Sequence, residues 1–249
     1  MRTKIKSINQ LNAAEIQSMY EIMQEYYLNV TKENFIADLV EKQKVILLFG
    51  KDRCIKGFST IFELIMDVEG KKVVALYSGD TILTREYWGN GALAMTFGRY
   101  LINVKFRNPL KPVYWFLISK GYKTYLLMTN NFAVHYPRFE EKTPQAFKKI
   151  MDVFYANRFG KKYLSNQGLI HFESESRVQL KDFVAEITDE CRTNPRIAFF
   201  EQKNPNWKDG VELACVAKVS LWVPFRYVLK RVRKVLLKNG KGLETVYHK

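Results

Sequence analysis

Through residue 40 the apolar positions recur every three or four residues. Asn12 followed by Glu15 has the form of a capping box, and Ile16, Met19, Met23 and the pair Tyr26 and Tyr27 then fall on one helical face. Thr31 opens a second helix with Phe35, Ile36, Leu39 and Val40 as its buried stripe. The period then shortens. Strands are predicted over 45–49 and roughly 55–66, joined by the polar turn Gly50, Lys51, Asp52. A further turn at Glu69, Gly70 and Lys71 leads into a strand over about 73–84. Two helices and an antiparallel meander result.

Tyr87, Trp88, Gly89, Asn90 and Gly91 then punctuate the chain, and a helix runs on from Ala92 until Asn108-Pro109 and Lys111-Pro112 stop it. Residues 113–118 form a short, wholly apolar run of the kind seen in a strand buried on both faces. Lys120 and Gly121 open another helix through Tyr122, Tyr125, Leu126 and Met128. Strand, glycine turn, helix and strand in succession make a crossover unit, so part of the sheet is expected to be parallel. The expected class is thus α/β, in the mixed α+β sense, with a central twisted sheet and flanking helices.

Residues 1–139 read as the core, and 140–249 as a C-terminal α/β extension that completes the sheet or covers an acceptor site. The extension carries a helix starting at Thr143-Pro144 and stopping at Gly160. A strand near 169–172, a helix near 180–191, strands near 197–201 and 211–220, and a basic helix over about 224–237 follow.

Charge adds information because it is concentrated. The net charge is +15 over 249 residues, and no Asp or Glu occurs between Tyr87 and Phe139, where Arg99, Lys105, Arg107, Lys111, Lys120, Lys123 and Arg138 lie. From Arg226 onward eight Lys or Arg face the single acid Glu244. Two basic regions imply two anionic contacts. Cys54, Cys191 and Cys215 are scattered, and His135, His171 and His248 lack metal-ligand spacing, so neither a disulfide framework nor a metal site is expected. The N-terminus has no apolar stretch of a signal peptide, and no apolar run approaches the roughly 20 residues of a membrane span. A cytoplasmic protein is the expectation.

The turn at 88–91 is where these signals meet. Closely spaced glycines let the backbone approach a ligand, and the following helix offers unpaired N–H groups and its positive dipole end. Such a place binds phosphate groups, and the acid-free segment begins there.

The order of elements, with Glu86, Tyr87, Trp88, Gly89, Asn90, Gly91, Ala92 and Leu93 at the turn, resembles the GNAT superfamily of acyl-CoA N-acyltransferases over roughly residues 10–137. In that family the turn reads Arg/Gln-x-x-Gly-x-Gly/Ala and wraps the pyrophosphate of coenzyme A. Gly91 falls on its first glycine, while Trp88 stands in place of the basic residue and Leu93 in place of the second small one. The resemblance implies a cofactor site at Trp88, Gly89, Asn90, Gly91 and Ala92. It also implies a pantetheine arm between Ile82, Leu83 and Thr84 on one strand and residues 116–119 on the next. The donor would be an acyl-CoA or an acyl-phosphopantetheine.

Acyl transfer to an amine needs a base, a place for the oxyanion and a proton for the departing thiolate. Asp80 and Glu63 are candidate bases, since a carboxylate among apolar strand residues has a raised pKa. Asp80 could equally sit in a bulge formed by Ser78, Gly79 and Asp80, and Glu63 could face water. By resemblance Tyr125 and Tyr122 are candidate acids, and Ser119 lies where the arm would end. The expected reaction moves an acyl group, with a chain longer than acetyl also suiting the aromatic content, to an amine of a small molecule or peptide. An acidic acyl carrier protein would suit the basic surface. A second reading stays open: a non-catalytic GNAT-like module that contacts nucleic acid, or an anionic membrane through its C-terminal helix.

Overall fold

The computed structural model describes residues 1–172 and 178–220. The chain begins with β1 (Arg2–Ser7), α1 (Ala13–Tyr26), β2 (Tyr27–Leu28) and α2 (Lys32–Val40). The cap on α1 is the one the sequence specifies: Asn12 Oδ1 accepts from Glu15 N at 2.8 Å, and Glu15 Oε2 accepts from Asn12 N at 3.1 Å. Thr31 caps α2 through Asn34 N. The meander follows as β3 (Lys44–Phe49), β4 (Ile55–Val68) and β5 (Lys71–Leu83). After the turn come α3 (Ala92–Arg107), β6 (Val113–Ser119), α4 (Tyr122–Thr129) and β7 (His135–Tyr136). The rest comprises α5 (Gln145–Phe159), β8 (Tyr163–Leu164), β9 (Leu169–Ile170), β10 (Gln179–Leu180), α6 (Asp189–Arg192), α7 (Pro195–Lys203) and β11 (Glu212–Val219).

The main sheet runs β1-β3-β4-β5-β6-β11-β9-β8, with β7 paired to β11. Its parallel pair among the described residues is β5 with β6. This is a mixed α/β architecture, with β11 carrying the sheet on from β6. One face packs on α3, α4 and α7 through Leu93, Phe97, Leu101, Trp115, Tyr125 and Phe200. The other packs on α5, where Phe154 stacks on Phe116 at 4.0 Å, and on α1 and α2.

Two features set the geometry of the sheet centre. In the β4/β5 ladder Ser59 faces Thr81 but Ile61 faces Ser78, so Gly79 and Asp80 stand opposite Thr60 alone. That bulge bends β5 and ends its pairing with β6 at Ser78 and Leu117, beyond which β6 is held by β11. From the α5 side the buried Tyr155 hydroxyl reaches between β6 and β11, 2.7 Å from Leu117 O and 2.6 Å from Cys215 O. It thus anchors β6 at the point where β5 departs.

Two expectations need correction, and one strand was not anticipated. The lysine-rich β1 is an edge strand whose alternation the charged residues conceal. The helix expected over 180–191 is reduced to its last turn, in α6 (Asp189–Arg192), and Leu180 belongs to β10. The backbone before that turn is engaged from outside, with Lys181 N donating to Tyr26 O (3.0 Å), and Lys120 and Lys123 donating to Val178 O (2.6 Å) and Val184 O (2.5 Å). Residues 197–201 belong to α7, which Asn194 caps and Pro195 starts, with Ile197 and Phe200 at helical spacing. The expected basic helix near 224–237 lies outside the described residues.

Gly79 is required by close approach: a Cβ there would lie 2.5 Å from Thr60 Oγ1 and 2.8 Å from Lys42 Cε. We expect Gly79→Ala to lower stability by roughly 1–3 kcal/mol, as overpacking does. An unchanged denaturation midpoint would contradict this.

Candidate active site

The parting of β5 and β6 opens onto a cleft of about 1310 Å³ between α3 and α4. Its floor includes Ser59, Ser78, Thr81 and Trp115, and its mouth is the turn Trp88–Gly91. Residues 178–185 roof one end. Leu180, Val184 and Ala185 line the cleft, β10 pairs with β2, and Gly121 leaves room for Ala185 and Leu180, which a Cβ would meet at 2.9 Å.

The mouth has the chemistry of a phosphate cradle. Gly89 adopts φ +78°, and a side chain there would meet nothing within 4 Å. Asn90 Oδ1 accepts from Ala92 N at 2.9 Å, and Gly91 O takes Met95 N at 2.8 Å. The amides of Leu93 and Ala94 begin the helix with no backbone acceptor among the described residues. Trp88 does not supply charge. Its indole donates to Leu83 O at 2.9 Å and packs on Tyr26, with ring centroids 6.0 Å apart. The charge comes from across the cleft, where Lys123 Nζ sits 4.2 Å from the Trp88 ring centroid, and from Arg99 on α3. Burial holds the Lys123 ammonium below its ordinary value. These residues fit the diphosphate of coenzyme A: backbone donors at a helix start, with a cation facing them.

Ile82 and Leu83 line the cleft, but the carbonyl of Leu83 is already used by Trp88, and Thr84 N donates to Lys56 O on β4 (2.9 Å). The gap also starts later than expected on the other strand. Phe116 and Leu117 are still paired with Tyr77 and Ser78, so only Ile118 and Ser119 border it.

Asp80 lies at the bulge, where the sheet opens. Its carboxyl is pushed up to about 7, first by burial, then by the charge of Asp38 and a hydrogen bond with it, against the opposing pull of Lys42 and Lys120. Lys42 is nearly inaccessible, its side chain 2% exposed, and it binds Asp38 Oδ1 at 2.5 Å, whereas Asp38 is 50% exposed. The pair therefore links solvent to Asp80. On the β11 side the buried Glu212 pairs with Lys120 at 3.3 Å, and burial raises its carboxyl too. Tyr27 lies among these groups. It lines the cleft, Lys120 Nζ is 5.5 Å from its ring centroid, and burial together with Asp80 and Glu212 raises its phenol.

The other expected site residues are not brought to this place. Glu63 is on the α3 side of the sheet, accepting from Tyr100 Oη (3.0 Å) and pairing with Arg107 (3.5 Å). Tyr125 is in the core, its hydroxyl donating to Pro137 O at 3.0 Å. Tyr122 turns its hydroxyl toward Cys191 Sγ, 3.9 Å away. Ser119 is buried and donates to Gly121 O at 2.9 Å. Sequence reasoning missed Tyr27, Asp38, Lys42 and Glu212, because each is polar or aromatic in a way that surface or core positions share. Only the fold assembles them.

No family model and no curated protein matches the chain. Among solved structures it is similar to a conserved protein of unknown function from Enterococcus faecalis, described as a probable N-acyltransferase (15% identity, 50% of this chain and 31% of that one, TM-score 0.37). It is also similar to a GCN5-related N-acetyltransferase from Kribbella flavida (13%, 54% and 34%, 0.39). A third is a GNAT family N-acetyltransferase from Escherichia coli in complex with CoA (10%, 48% and 64%, 0.35). The match thus spans about a third of the first two proteins. All three TM-scores lie below 0.5, and the functional reading rests on the geometry of the site itself.

The Asp80 environment gives a pH expectation. Its folded value lies above the ordinary 3.8, so the stability it contributes is present below about pH 4 and is lost as pH rises toward about 7. Removing the Asp38 charge removes one cause of that rise. Carbon-13 NMR of the Asp80 carboxyl should show a midpoint near pH 7 that moves down in Asp38→Asn; an unmoved or raised midpoint would contradict the coupling.

Proposed function

We propose that the chain is an N-acyltransferase that uses a coenzyme A thioester as donor and an amine as acceptor. The observation that carries this is the coincidence of a phosphate-cradling turn, a parted parallel strand pair and a carboxyl titrating near neutrality at the parting. When bound, the thioester would supply an activated acyl carbonyl and a thiolate leaving group.

The chain's own residues have separable tasks. The amides of Leu93 and Ala94, with Lys123 and Arg99, hold the diphosphate. Asp80, charged above about pH 7, takes the proton of the attacking ammonium or amine, and a base poised near the working pH is the efficient choice. Tyr27, with Lys120 beside its ring, is positioned to hold a proton at the sulfur, the task the family resemblance gives to Tyr122 or Tyr125. Asp38, at the solvent end of the Asp38–Lys42 pair, attracts a cationic acceptor toward Asp80. We assign the acyl group a chain longer than acetyl and the acceptor to small molecules or peptides. The acid-free segment also suits docking of an acidic acyl carrier protein, whose phosphopantetheine presents the same arm.

Coenzyme A should raise the melting temperature of the wild-type protein. Gly91→Glu, which sets a negative charge at the turn, should abolish the rise, while Asp80→Asn should keep it and lose at least a hundredfold in transfer rate. No rise in the wild type, together with salt-sensitive nucleic-acid binding, would favour the non-catalytic reading instead.

A further inference from the structure

The cleft between α3 and α4 consists of two chemically different parts. The mouth offers amides and cations, as described above. The interior, reaching along α3 from Leu93 to Ile102, is walled by Phe97, Leu101, Trp115, Leu127 and Phe132. Phe97 and Phe132 pack on either side of Trp115, with ring centroids 5.1 and 4.9 Å away.

Three polar groups that reach this interior are already engaged. Trp115 Nε1 donates to Ser78 Oγ at 2.8 Å, Asn131 Nδ2 donates to Leu127 O at 2.7 Å, and Asn130 Oδ1 accepts from Arg196 at 2.6 Å. Amide or purine groups buried against the Phe97, Trp115 and Phe132 rings would give up hydration without a replacement partner on that wall. Hydrocarbon loses nothing by the same transfer, and each methylene buried tightens binding about fourfold.

Gly98 makes the interior wide. It lies in the middle of α3, where glycine is unfavourable relative to alanine, and a Cβ on it would meet nothing within 4 Å. Packing within the chain therefore does not require a glycine here; the space beside it belongs to the cleft. From Gly91 at the mouth to Ile102 the helix spans about 16 Å. The whole cleft, at about 1310 Å³, exceeds the roughly 300–1,000 Å³ of ordinary small-molecule pockets.

From these observations we infer that the α3/α4 interior is the site for the hydrocarbon chain of the donor's acyl group, and that Gly98 keeps it open to that chain. This rests on the thioester reading above. Continuity chooses the occupant, since the interior shares one cleft with the phosphate cradle and with Thr81 at the strand parting.

Calorimetric titration with coenzyme A, acetyl-CoA and octanoyl-CoA tests this without turnover. In the wild type octanoyl-CoA should bind at least tenfold tighter than coenzyme A and acetyl-CoA. Gly98→Phe, which fills the space, should collapse that ratio toward one, and Gly98→Ala, which favours the helix, should reduce it only partly. Equal wild-type affinity for coenzyme A and octanoyl-CoA would overturn the inference and leave the cofactor reading intact. Equal weakening of all three ligands by Gly98→Phe would also overturn it, because the interior would then hold the cofactor itself. Failure of the wild type to bind any of them would sink the cofactor reading and this inference together. Should Gly98→Phe not fold, the wild-type series with Gly98→Ala still decides.

Discussion

The structure depends on a two-against-one bulge. Gly79 and Asp80 occupy the space opposite Thr60, and the added residue turns β5 away from β6 after five paired positions. A parallel pair that stayed in register would bury the backbone of both strands in its ladder. Because this one parts, a gap opens between the two strands beyond Ser78 and Leu117. Glycine at 79 is what lets Lys42 and Thr60 close up behind the bulge. Tyr155 and β11 hold the other side, so β6 does not follow β5.

That opening joins two environments. On the α3/α4 side are backbone donors, cations and an apolar interior, suited to a long, anionic, partly hydrocarbon donor. At the bulge are Asp38, Lys42, Asp80, Lys120 and Glu212, and burial raises the carboxyls of Asp80 and Glu212. The extension contributes to both. β11 supplies Glu212, and residues 178–185 roof the cleft with backbone bonds to Tyr26, Lys120 and Lys123. Basic residues here therefore act as ties between segments as well as partners for an anion. The acid-free segment is thus not a binding surface alone.

Elements with strong local signals were legible in the sequence. The Asn12 cap, the β3–β5 meander, the glycine turn, α3 and the apolar β6 are each specified by residues within a few positions of one another. The bulge was legible as an alternative at Ser78, Gly79 and Asp80, because glycine beside a polar residue interrupts the strand period. What local pattern could not carry was the partnership of distant segments. Residues 180–191 have helix-compatible spacing, yet Tyr26 and Lys123 claim the backbone at Lys181 and Val184, and only the α6 end is helical. Ile197 and Phe200 read as a strand until Asn194 and Pro195 are given their weight as a helix start. Trp88, which departs from the family turn, proves to be a wall, and the charge it lacks is supplied by Lys123 from α4. Glu63 and Asp80, equivalent as strand carboxylates, differ because one lies against α3 and the other at the bulge.

We place the thioester at the parting of β5 and β6. A crystal structure of the protein with coenzyme A tests this placement most directly. The diphosphate should lie on the amides of Leu93 and Ala94 near Lys123, with the sulfur between Thr81 and Ile118. A cofactor bound elsewhere, or β5 and β6 paired through beyond Ser78 and Leu117, would contradict it.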